Sequence, residues 1–563
     1  MGVNTLFYGD CLTIMREKIP PYSVDLVYLD PPFNSNEDYN AIYKDETGRP
    51  LPDQVEAYTD TWVLVTEGLR IIRDLPLLLG EHGINGHGAN FLSALLSGLV
   101  HLQPDMAAYL AYMTERLVWI RRAMKPSASI YLHCDDSAGH FLKIALDVIF
   151  GAKYYLNTIT WKRTWSHNDP SRFGRITDTI FYYSKSEDYT WNTPYVEYSA
   201  DYVRKFFRHE DERGQYRLVT LTGPKVSAGE SGLTWRGYSP TSSGRSWSVP
   251  RRIVRALAGE EALSWTIKKR LDLMDQHGYI YWTPKGKVPQ FKQYLKEMPG
   301  APVQNLWTDI DRLSPHSKER LGYPTQKPVA LLDRIIRASS NPGDVVFDPF
   351  CGCATTIEAA ERLGRRWIGI DITIHDIKRV ARARLQDRLH LAQGSDYSIE
   401  GVPQNWEGAL ELWRQDPYQF QKWCVEQVEG FVNVKKSADD GIDGRIYFDM
   451  PGEDVLQCLA LEVKGGANVG IADVGYLGSV LRYENVQMAG LIILHELGKQ
   501  QEKNFKLKMA LVGEVEIEGR TYPRMQMLTV REILEGARFA MPSPAGRSEA
   551  PYDADLFSHK RAD

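Results

Sequence analysis

The stretch from residue 344 to residue 371 constrains the fold more than any other part of this sequence. It contains an apolar strand ending in an acid (DVVFD), a tight loop (PFCGC), a helix from Thr355 to Leu363 and a second strand ending in an acid (RWIGID). Such a unit is typical of parallel α/β sheets. Asp371, 23 residues after Asp348, is spaced to hold ribose hydroxyls. The unit predicts half of a nucleoside-binding site, although a generic βαβ crossover shows much the same pattern.

A second short strand near the amino terminus also ends in an acid. Residues 23–29 (SVDLVYL) are followed by Asp30-Pro31-Pro32-Phe33, in which consecutive prolines hold the loop rigid. Methylation of an exocyclic amino nitrogen requires that its lone pair be drawn out of conjugation with the ring. Asp30 and the carbonyl of Pro31 suit this role as acceptors of the two N–H groups, and Phe33 suits stacking on an extruded base. Taken alone, these four residues are often only a turn after a strand.

The segment from residue 160 to residue 300 differs in texture, with short strands, Gly/Ser/Pro turns and many aromatic residues. It carries 23 Lys and Arg against 15 Asp and Glu, a net charge of +8, whereas the whole chain carries −5 and the remainder therefore −13. Cations neutralise phosphates and flat rings stack on bases, so this segment is a candidate nucleic-acid face. A solvated, loop-rich insertion is the alternative, and composition alone does not decide between the two.

The order of these motifs resembles that of the amino-directed DNA methyltransferases of the β class. In that family the catalytic DPPF/Y loop comes first, the target-recognition region follows, and the S-adenosylmethionine loop comes last. Residues 1 to about 395 follow this order and resemble in particular the modification subunits of type III systems and their solitary relatives. The segments that carry the resemblance are Asp30 to Phe33, Ser129 to Asp136, Gly322 to Pro328, Asp348 to Cys353, and Gly369 to Asp371.

The resemblance implies a Rossmann-like α/β methyltransferase core that binds S-adenosylmethionine. One departure is Ala354, where the family usually has glycine, and its methyl group is expected near the methionine part of the cofactor. DPPF resembles adenine-N6 enzymes more than cytosine-N4 enzymes, whose loop usually begins with serine, so the implied target is N6 of an adenine flipped out of double-stranded DNA. The implied cofactor-binding residues are Asp348, Pro349, Phe350, Cys351, Gly352 and Asp371, with Thr325 and Lys327 helping to close the pocket.

A further domain is predicted after residue 395, beginning with a helix from Trp406 to Val428. Asp443 stands at the mouth of one strand, and Glu462 and Lys464 lie two residues apart on the next strand and therefore on one face. The pattern resembles the Mrr-like branch of the PD-(D/E)xK nucleases. It implies that Asp443 and Glu462 share a Mg²⁺ ion while Lys464 orients water or stabilises charge on phosphate. An acid and an ExK on an edge strand also occur by chance.

The sequence therefore predicts a methyltransferase core in two halves, an α+β recognition insertion and a C-terminal α/β restriction-endonuclease-like domain. The six cysteines form no CxxC pair, and the longest apolar runs fall far short of about 20 residues, so we expect a cytoplasmic protein without a membrane partner. The predicted segments are 1–159 (catalytic half), 160–300 (recognition insertion), 301–395 (cofactor half), 396–540 (nuclease-like domain) and 541–563 (flexible tail).

Three functions remain open at this point. The first is a DNA methyltransferase with a fused Mg²⁺-dependent nuclease, as in restriction-modification. The second is a solitary methyltransferase, acting on adenine N6 or cytosine N4, whose C-terminal domain only binds DNA or a partner. The third is a non-catalytic DNA-binding protein with a decayed fold, which the intact DPPF and near-intact cofactor loop disfavour. A homodimer is left open, as is the DNA sequence recognised.

Overall fold

Two compact units make up the protein, one formed by residues 1–192 and 305–563 and the other by residues 193–304. No helix among the described residues is long and apolar enough to cross a membrane. The computed structural model describes residues 4–32, 38–41, 55–59, 62, 64, 66–165, 173–224, 229–283, 289–314, 317–321, 325–373, 377, 384–433, 442–449, 456–483 and 486–542.

The first part of the chain alternates strands with long helices. Helix α4 has proline at its first position, where the missing N–H costs nothing. The strands are β1 (Asn4–Tyr8), β2 (Val24–Leu29), β3 (Asp38–Ala41), β4 (Val55–Thr59), β5 (Met124–Cys134), β6 (Tyr155–Lys162) and β7 (Thr177–Ser184). The helices are α1 (Cys11–Glu17), α2 (Thr66–Glu81), α3 (Gly86–Leu102), α4 (Pro104–Ala123) and α5 (Gly139–Leu146).

The unit formed by residues 193–304 has an α+β architecture of its own. Strands β9, β10, β13 and β14 form an antiparallel sheet in the order β13-β14-β10-β9, and its core contains Leu221, Val254 and Leu271. The strands are β8 (Tyr195–Val196), β9 (His209–Asp211), β10 (Gly214–Thr220), β11 (Thr222–Gly223), β12 (Ser246–Trp247), β13 (Ile280–Tyr281), β14 (Gln290–Tyr294) and β15 (Ala301–Pro302). The helices are α6 (Ala200–Phe206), α7 (Arg251–Ala258) and α8 (Ile267–Gln276).

The chain then returns to the first unit and completes its large sheet. The strands are β16 (Leu306–Trp307), β17 (Val345–Asp348), β18 (Arg366–Asp371) and β19 (Tyr397–Glu400), and the helices are α9 (Val329–Ser339) and α10 (Thr355–Arg362). The order of the nine strands in this sheet is β16-β6-β7-β5-β2-β17-β18-β1-β19. Strand β7 runs antiparallel to its neighbours β5 and β6, and the other pairings are parallel.

Strands β2, β17 and β18 lie side by side although β2 is far from the other two in sequence. Leu26 pairs with Val346, and Asp348 pairs with Gly369. These strands are buried on both faces, as expected of a parallel sheet covered by helices. Because the carboxyl ends of parallel strands meet at one edge, the fold brings Asp30 and the acids that end β17 and β18 to the same place.

The second compact unit begins at residue 193, later than the residue-160 boundary predicted for a recognition insertion. Strands β6 and β7 belong to the large sheet, and the second unit starts at residue 193. Trp161 and Tyr183 are fully buried, and Trp161 donates from its indole N–H to the carbonyl of Ile310 at 2.8 Å. Aromatic residues in this region therefore fill the core of the sheet, which composition cannot separate from an exposed aromatic surface.

The C-terminal part forms a second, five-stranded sheet in the order β20-β21-β22-β23-β26. The helix predicted from Trp406 to Val428 is two helices, because Pro417 cannot continue the first and starts the second. The strands are β20 (Phe431–Val432), β21 (Gly444–Phe448), β22 (Gln457–Lys464), β23 (Met488–Ile493), β24 (Glu514–Ile517), β25 (Arg520–Pro523) and β26 (Met525–Thr529). The helices are α11 (Trp406–Gln415), α12 (Pro417–Gln427), α13 (Ile471–Tyr483), α14 (Lys499–Ala510) and α15 (Val530–Leu534).

Candidate active site

The loop after β17 is folded tightly against the end of β18. Asp348 is buried and accepts a hydrogen bond from the N–H of Phe350 at 3.1 Å. Burial raises the pKa of Asp348 to about 7, although a hydrogen bond from Thr356 acts in the opposite direction. The N–H of Cys351 donates to the carbonyl of Ile370 at 3.0 Å. The loop residues Pro349 and Cys351 are buried, while Phe350 and Gly352 are half-buried.

Asp371 is held at the tip of β18 by the backbone of the same loop. Its two carboxylate oxygens accept hydrogen bonds from the N–H groups of Gly352 at 2.9 Å and Thr373 at 2.8 Å. Burial raises the pKa of this carboxyl to about 6. Its backbone carbonyl also accepts from the N–H of Gly9, which follows β1, at 2.9 Å. Asp371 is therefore an oriented acceptor at the point where three strands end.

Ala354, at the position where the resemblance leads us to expect glycine, has an unusual backbone conformation. Ala354 has φ = 59° and ψ = 31°, in the left-handed region, and it precedes the first residue of α10. An L-residue with a Cβ is disfavoured in this region, whereas glycine is not. Ala354 is fully buried, so its methyl group also fills part of the core. The departure from glycine therefore places conformational strain directly beside the cofactor loop.

Asp30 projects from the loop after β2 and is paired with a lysine from a distant segment. The ammonium of Lys327 lies 2.5 Å from Oδ2 of Asp30, and both side chains are mostly buried. Oδ1 of Asp30 is buried and has no hydrogen-bond partner among the described residues. Pro31 is buried and Pro32 is half-buried beside it, whereas Phe33 lies outside the described residues. One oxygen of the predicted catalytic acid is thus held by lysine, and the other is available for a ligand.

The segment Thr325 to Lys327 is fixed by a side chain that the sequence analysis did not single out. Gln326 accepts from the N–H of Leu321 at 2.8 Å and donates to the carbonyl of Glu319 at 2.7 Å. The carbonyl of Thr325 accepts from Lys327 at 3.4 Å. The sequence signal is the position of Gln326 between Thr325 and Lys327, since a glutamine amide can both accept from and donate to backbone groups of a loop. These two hydrogen bonds tie Gln326 to Glu319 and Leu321, and the next residue, Lys327, contacts Asp30.

One protein-family match covers the segments that contain both loops. The sequence model of the N6/N4 DNA methylases matches residues 24–382, which is more than half of the chain. The chain belongs to the DNA methylase family. The matched region of this methylase includes Asp30, Lys327, the loop after β17 and Asp371. The C-terminal sheet lies outside the matched region.

Curated relatives match parts of the methylase. Type II methyltransferase M.EcaI of Enterobacter cloacae is 34% identical over 277 residues, which are 49% of this chain and 57% of that protein. The Mod subunit of the type III restriction-modification enzyme StyLTI of Salmonella typhimurium is 26% identical over 374 residues, 64% of this chain and 50% of the subunit. The methylase thus spans about half the length of these relatives. DNA adenine methyltransferase YhdJ of Escherichia coli is 49% identical over 96 residues, 17% of this chain and 30% of that protein.

Solved structures with similar chains include other DNA methylases. A putative DNA modification methylase of Thermus thermophilus, TTHA0409, complexed with S-adenosyl-L-methionine, is 16% identical, with a TM-score of 0.32. The alignment covers 70% of this chain and 98% of that chain.

A second candidate site lies on β22 in the C-terminal sheet. The ammonium of Lys464 is 2.6 Å from Oε1 of Glu462, so the two side chains share one face of the strand. Oε2 of Glu462 is buried without a hydrogen-bond partner among the described residues, and burial raises the pKa of this carboxyl, with the charges of Asp473 and Asp443 acting in the same direction. Asp443 accepts from the N–H of Val463 at 2.6 Å.

Asp473 is an acid of this site that the sequence analysis missed. Its Oδ1 lies 3.6 Å from the ammonium of Lys464, and its Oδ2 accepts from the N–H of Gly470 at 2.7 Å. The sequence signal is an acid in the first turn of α13, shortly after the ExK strand. Within the residues described, no group of three or more His, Cys, Asp and Glu side chains is placed to hold a metal ion.

Proposed function

We propose that this methylase transfers a methyl group from S-adenosylmethionine to N6 of an adenine that has been flipped out of double-stranded DNA. The observation that carries this proposal is the buried Oδ1 of Asp30, which has no hydrogen-bond partner within the described part of the chain. Asp30 follows β2, and β2 pairs directly with β17, the strand that leads into the loop proposed to bind the cofactor. A buried carboxylate oxygen without a partner is costly unless a ligand satisfies it, and an exocyclic amino group is such a ligand.

The residues of the cofactor loop suit S-adenosylmethionine. Asp371 is an anchored carboxylate that can accept from ribose hydroxyls, and the positive φ of Gly352 lets the loop backbone turn close to the ligand. When bound, S-adenosylmethionine supplies a methyl group whose bond to sulfur breaks with the electron pair staying on sulfur. Thr325 and Lys327 remain proposed as residues that close this pocket, although the contact seen for Lys327 is with Asp30.

Asp30 has two tasks in the proposed reaction. Its carboxylate accepts one N–H of the target amine, which localises the nitrogen lone pair for attack on the methyl carbon. As the new N–C bond forms, the nitrogen releases one proton, and Asp30, which accepts that N–H, would take it. The carbonyl of Pro31 would accept the second N–H, the rigid Pro31-Pro32 pair would limit motion of the loop, and Phe33 would stack on the base.

Adenine is favoured over cytosine as the target. The relative with the highest identity among those compared above is a DNA adenine methyltransferase, and its similarity supports adenine for this chain. The acid that begins the DPPF loop supports the same choice, because cytosine-N4 enzymes usually carry serine there. Cytosine N4 is the alternative target, and it would present a very similar amino group to Asp30.

The unit of residues 193–304 is proposed as the DNA-recognition unit. Its helix α7 buries Ile253 and Val254 and exposes Arg251, Arg252 and Arg255. Such an amphipathic, positively charged helix can neutralise phosphates. Aromatic residues of this unit divide into buried ones, such as Trp235, and exposed ones, such as Trp282, so only some are available for stacking. The exposed arginines are the feature that supports binding of a polyanion.

The C-terminal sheet is proposed to cleave DNA with Mg²⁺, which would make the protein a restriction-modification enzyme. Mg²⁺ takes oxygen ligands and is often held by one or two carboxylates together with substrate phosphate and water. Asp443 and Glu462 fit this donor set, and Oε2 of Glu462 is the buried acceptor that supports it. The similarity to the type III Mod subunit supports a restriction-modification role. The alternative is a solitary methyltransferase whose C-terminal domain only binds DNA or a partner.

One experiment tests these proposals together. Purified protein is incubated with unmethylated double-stranded DNA and labelled S-adenosylmethionine, with and without Mg²⁺, and the DNA is then read by single-molecule sequencing. N6-methyladenine at a defined sequence is expected without Mg²⁺, and strand breaks only with it. N4-methylcytosine would move the target to cytosine. Methylation without breaks would favour the solitary methyltransferase, and neither product would favour a non-catalytic DNA-binding protein.

A further inference from the structure

A chain of buried polar side chains links the strand that carries the catalytic loop to the antiparallel strand β7. The hydroxyl of Tyr28 lies 2.9 Å from Nδ1 of His133, and Nε2 of His133 lies 3.1 Å from Oδ2 of Asp178. Arg163 forms an ion pair with the other oxygen of Asp178 at 3.3 Å. Tyr28, His133 and Asp178 are each at most 2% exposed, so the chain is shielded from water over this length.

The direction of these hydrogen bonds follows from the chemistry of the groups. Burial acts to raise the pKa of Asp178, but the hydrogen bond from His133 and the charges of Arg163 and Lys327 hold it below its usual range. An ionised carboxylate only accepts, so Nε2 of His133 must donate. In the neutral ring Nδ1 then accepts from Tyr28. Burial raises the pKa of Tyr28 well above its usual value, so its hydroxyl keeps the proton it donates.

Both ends of this chain interact electrostatically with the pair formed by Asp30 and Lys327. Tyr28 is the penultimate residue of β2, and Asp30 follows the end of that strand. After burial, the charge of Asp30 is the next cause of the raised pKa of Tyr28. At the other end, Lys327 contributes to the low pKa of Asp178. The chain therefore contacts the strand that carries Asp30 and places a negative charge near its lysine partner.

Stability alone does not require these polar groups in the core of the sheet. Apolar side chains of similar volume would fill the same space without the cost of removing a carboxylate from water. A buried hydrogen-bonded network, by contrast, restricts each of its members to one conformation. His133 is the member that joins the other two, since its two ring nitrogens bond Tyr28 on one side and Asp178 on the other.

We infer that His133 is a positioning residue for methyl transfer: clamped between Asp178 and Tyr28, it holds the end of β2 and the charge near Lys327, so that Asp30 keeps Oδ1 directed to the target amine. His133 acts through Tyr28 and Asp178 and does not touch the reacting atoms. This inference rests on the proposed methyl transfer at Asp30.

The mildest test removes a single hydroxyl group. Tyr28→Phe is compared with Tyr131→Phe, because the two tyrosines pair directly across β2 and β5 and both are fully buried. The hydroxyl of Tyr131 bonds Ser339 at 2.7 Å and not His133. Steady-state methylation kinetics are measured with both substrates varied. Tyr28→Phe is expected to lower kcat about tenfold and to leave both KM values unchanged. A tenfold loss corresponds to about 1.4 kcal/mol, which is the size of one lost hydrogen bond, here that between Tyr28 and His133.

Two substitutions of His133 then separate its two bonds. In His133→Gln the amide nitrogen can still donate to Asp178, and in His133→Asn the amide oxygen can still accept from Tyr28. Each is expected to lower kcat at least as much as Tyr28→Phe does, and combining Tyr28→Phe with His133→Gln is expected to add little to the single effects. Such non-additivity is the mark of residues that act as one unit.

The outcomes divide cleanly. If Tyr28→Phe behaves like Tyr131→Phe, or lowers only the melting temperature or raises only KM, His133 has a structural role and the inference is overturned. If the His133 variants do not fold, the comparison of the two tyrosines decides the matter by itself. Asp30→Ala is measured alongside. Retained methyl transfer in that variant would overturn the proposed catalytic role of Asp30, and the positioning role would fall with it, whereas loss of transfer leaves the tyrosine comparison to judge the positioning role alone.

Discussion

Two lysine–carboxylate pairs in this protein have nearly the same geometry but different origins. Lys327 reaches Asp30 across 297 residues of sequence, whereas Lys464 and Glu462 are neighbours on one strand. In both pairs one carboxylate oxygen meets the lysine, and the other is buried without a partner among the described residues. A pair on one strand follows from strand geometry alone. A pair assembled from distant loops requires the whole fold, and it is therefore the stronger indication of a built site.

The largest effect is expected where the fold assembles the pair. Asp30→Ala should lower kcat for methyl transfer about 10³-fold, because it removes both the acceptor of the amine N–H and the base, while S-adenosylmethionine affinity changes less than about threefold. Transfer of labelled methyl groups and calorimetric cofactor binding measure the two effects. Asp201→Ala, at an exposed acid, serves as the control. An unchanged kcat would contradict the comparison, because the pair assembled from distant loops would then indicate a functional site no better than the pair on one strand.

In the pair on one strand, Lys464 and Glu462, the lysine is replaced instead of the acid. Lys464→Ala should reduce Mg²⁺-dependent DNA cleavage about 10²-fold, since it removes a cation that stabilises charge on phosphate, and should leave methylation unchanged. Plasmid nicking and linearisation report cleavage. Lys506→Ala on α14, where the lysine pairs with an exposed glutamate, is the matched control. Cleavage that survives in Lys464→Ala would assign this pair to strand packing.

A third test asks whether the same DNA-binding surface is needed for methylation at the Asp30 site and for cleavage at the Glu462 site. Replacing Arg251, Arg252 and Arg255 of α7 with glutamate should weaken DNA binding about 10- to 100-fold at low salt, with a shallower salt dependence, because phosphate contacts are lost. Binding isotherms at several salt concentrations measure this. The control reverses Lys499, Lys503 and Lys506 on α14. A change in methylation without a change in cleavage would mean that the sites engage DNA separately, and unaltered binding would remove α7 from the interface.

The cofactor side of the assembled site should respond to pH. Burial raises the pKa of Asp371 to about 6, so its carboxylate becomes protonated as pH falls through that value and loses acceptor capacity for ribose hydroxyls. Affinity for S-adenosylmethionine should fall about tenfold between pH 7 and pH 5. Calorimetry across this range measures it, and Asp371→Asn should bind weakly at both pH values. A pH response that persists in Asp371→Asn and disappears in Asp348→Asn would assign it to Asp348 instead.

The smallest effect is expected at the strained turn of the cofactor loop. In Ala354→Gly, relief of the positive φ is offset by the greater freedom of the unfolded chain and by loss of a buried methyl group, so the free energy of unfolding should change by less than about 1 kcal/mol. Ala354→Val should cost several times more, because a β-branched side chain is poorly tolerated in the left-handed region. Chemical denaturation measures both. Equal stability of the two variants would contradict the conformation described for Ala354.

The sequence predicted the individual strands and loops of the candidate site more reliably than the contacts between them. The strands that end in Asp348 and Asp371 follow from spacing, and the structure confirms both elements. The second compact unit starts at residue 193 and not at 160, and composition could not show this because buried and exposed aromatic residues look alike in it. The contact between Lys327 and Asp30 could not be predicted, since it joins two loops that lie 297 residues apart in sequence. The residue pattern predicts local secondary structure. Only the order of strands in the sheet shows which strand ends, distant in sequence, lie side by side.

The sheet order also sets when a newly made chain can begin to work. The first strand of the large sheet pairs with the last, Asn4 opposite Tyr397, and lies between β18 and β19. At the usual speed of synthesis, the ribosome needs roughly 20 to 80 seconds to add the intervening residues. During that time β1 waits without its parallel partners β18 and β19. Strand β2 can pair with β5 earlier, but its other edge waits for β17. Chaperone protection of these unpaired strand edges is therefore expected to matter for yield. A chain released early, before residue 371, would lack the acid that ends β18 and could not complete the cofactor site.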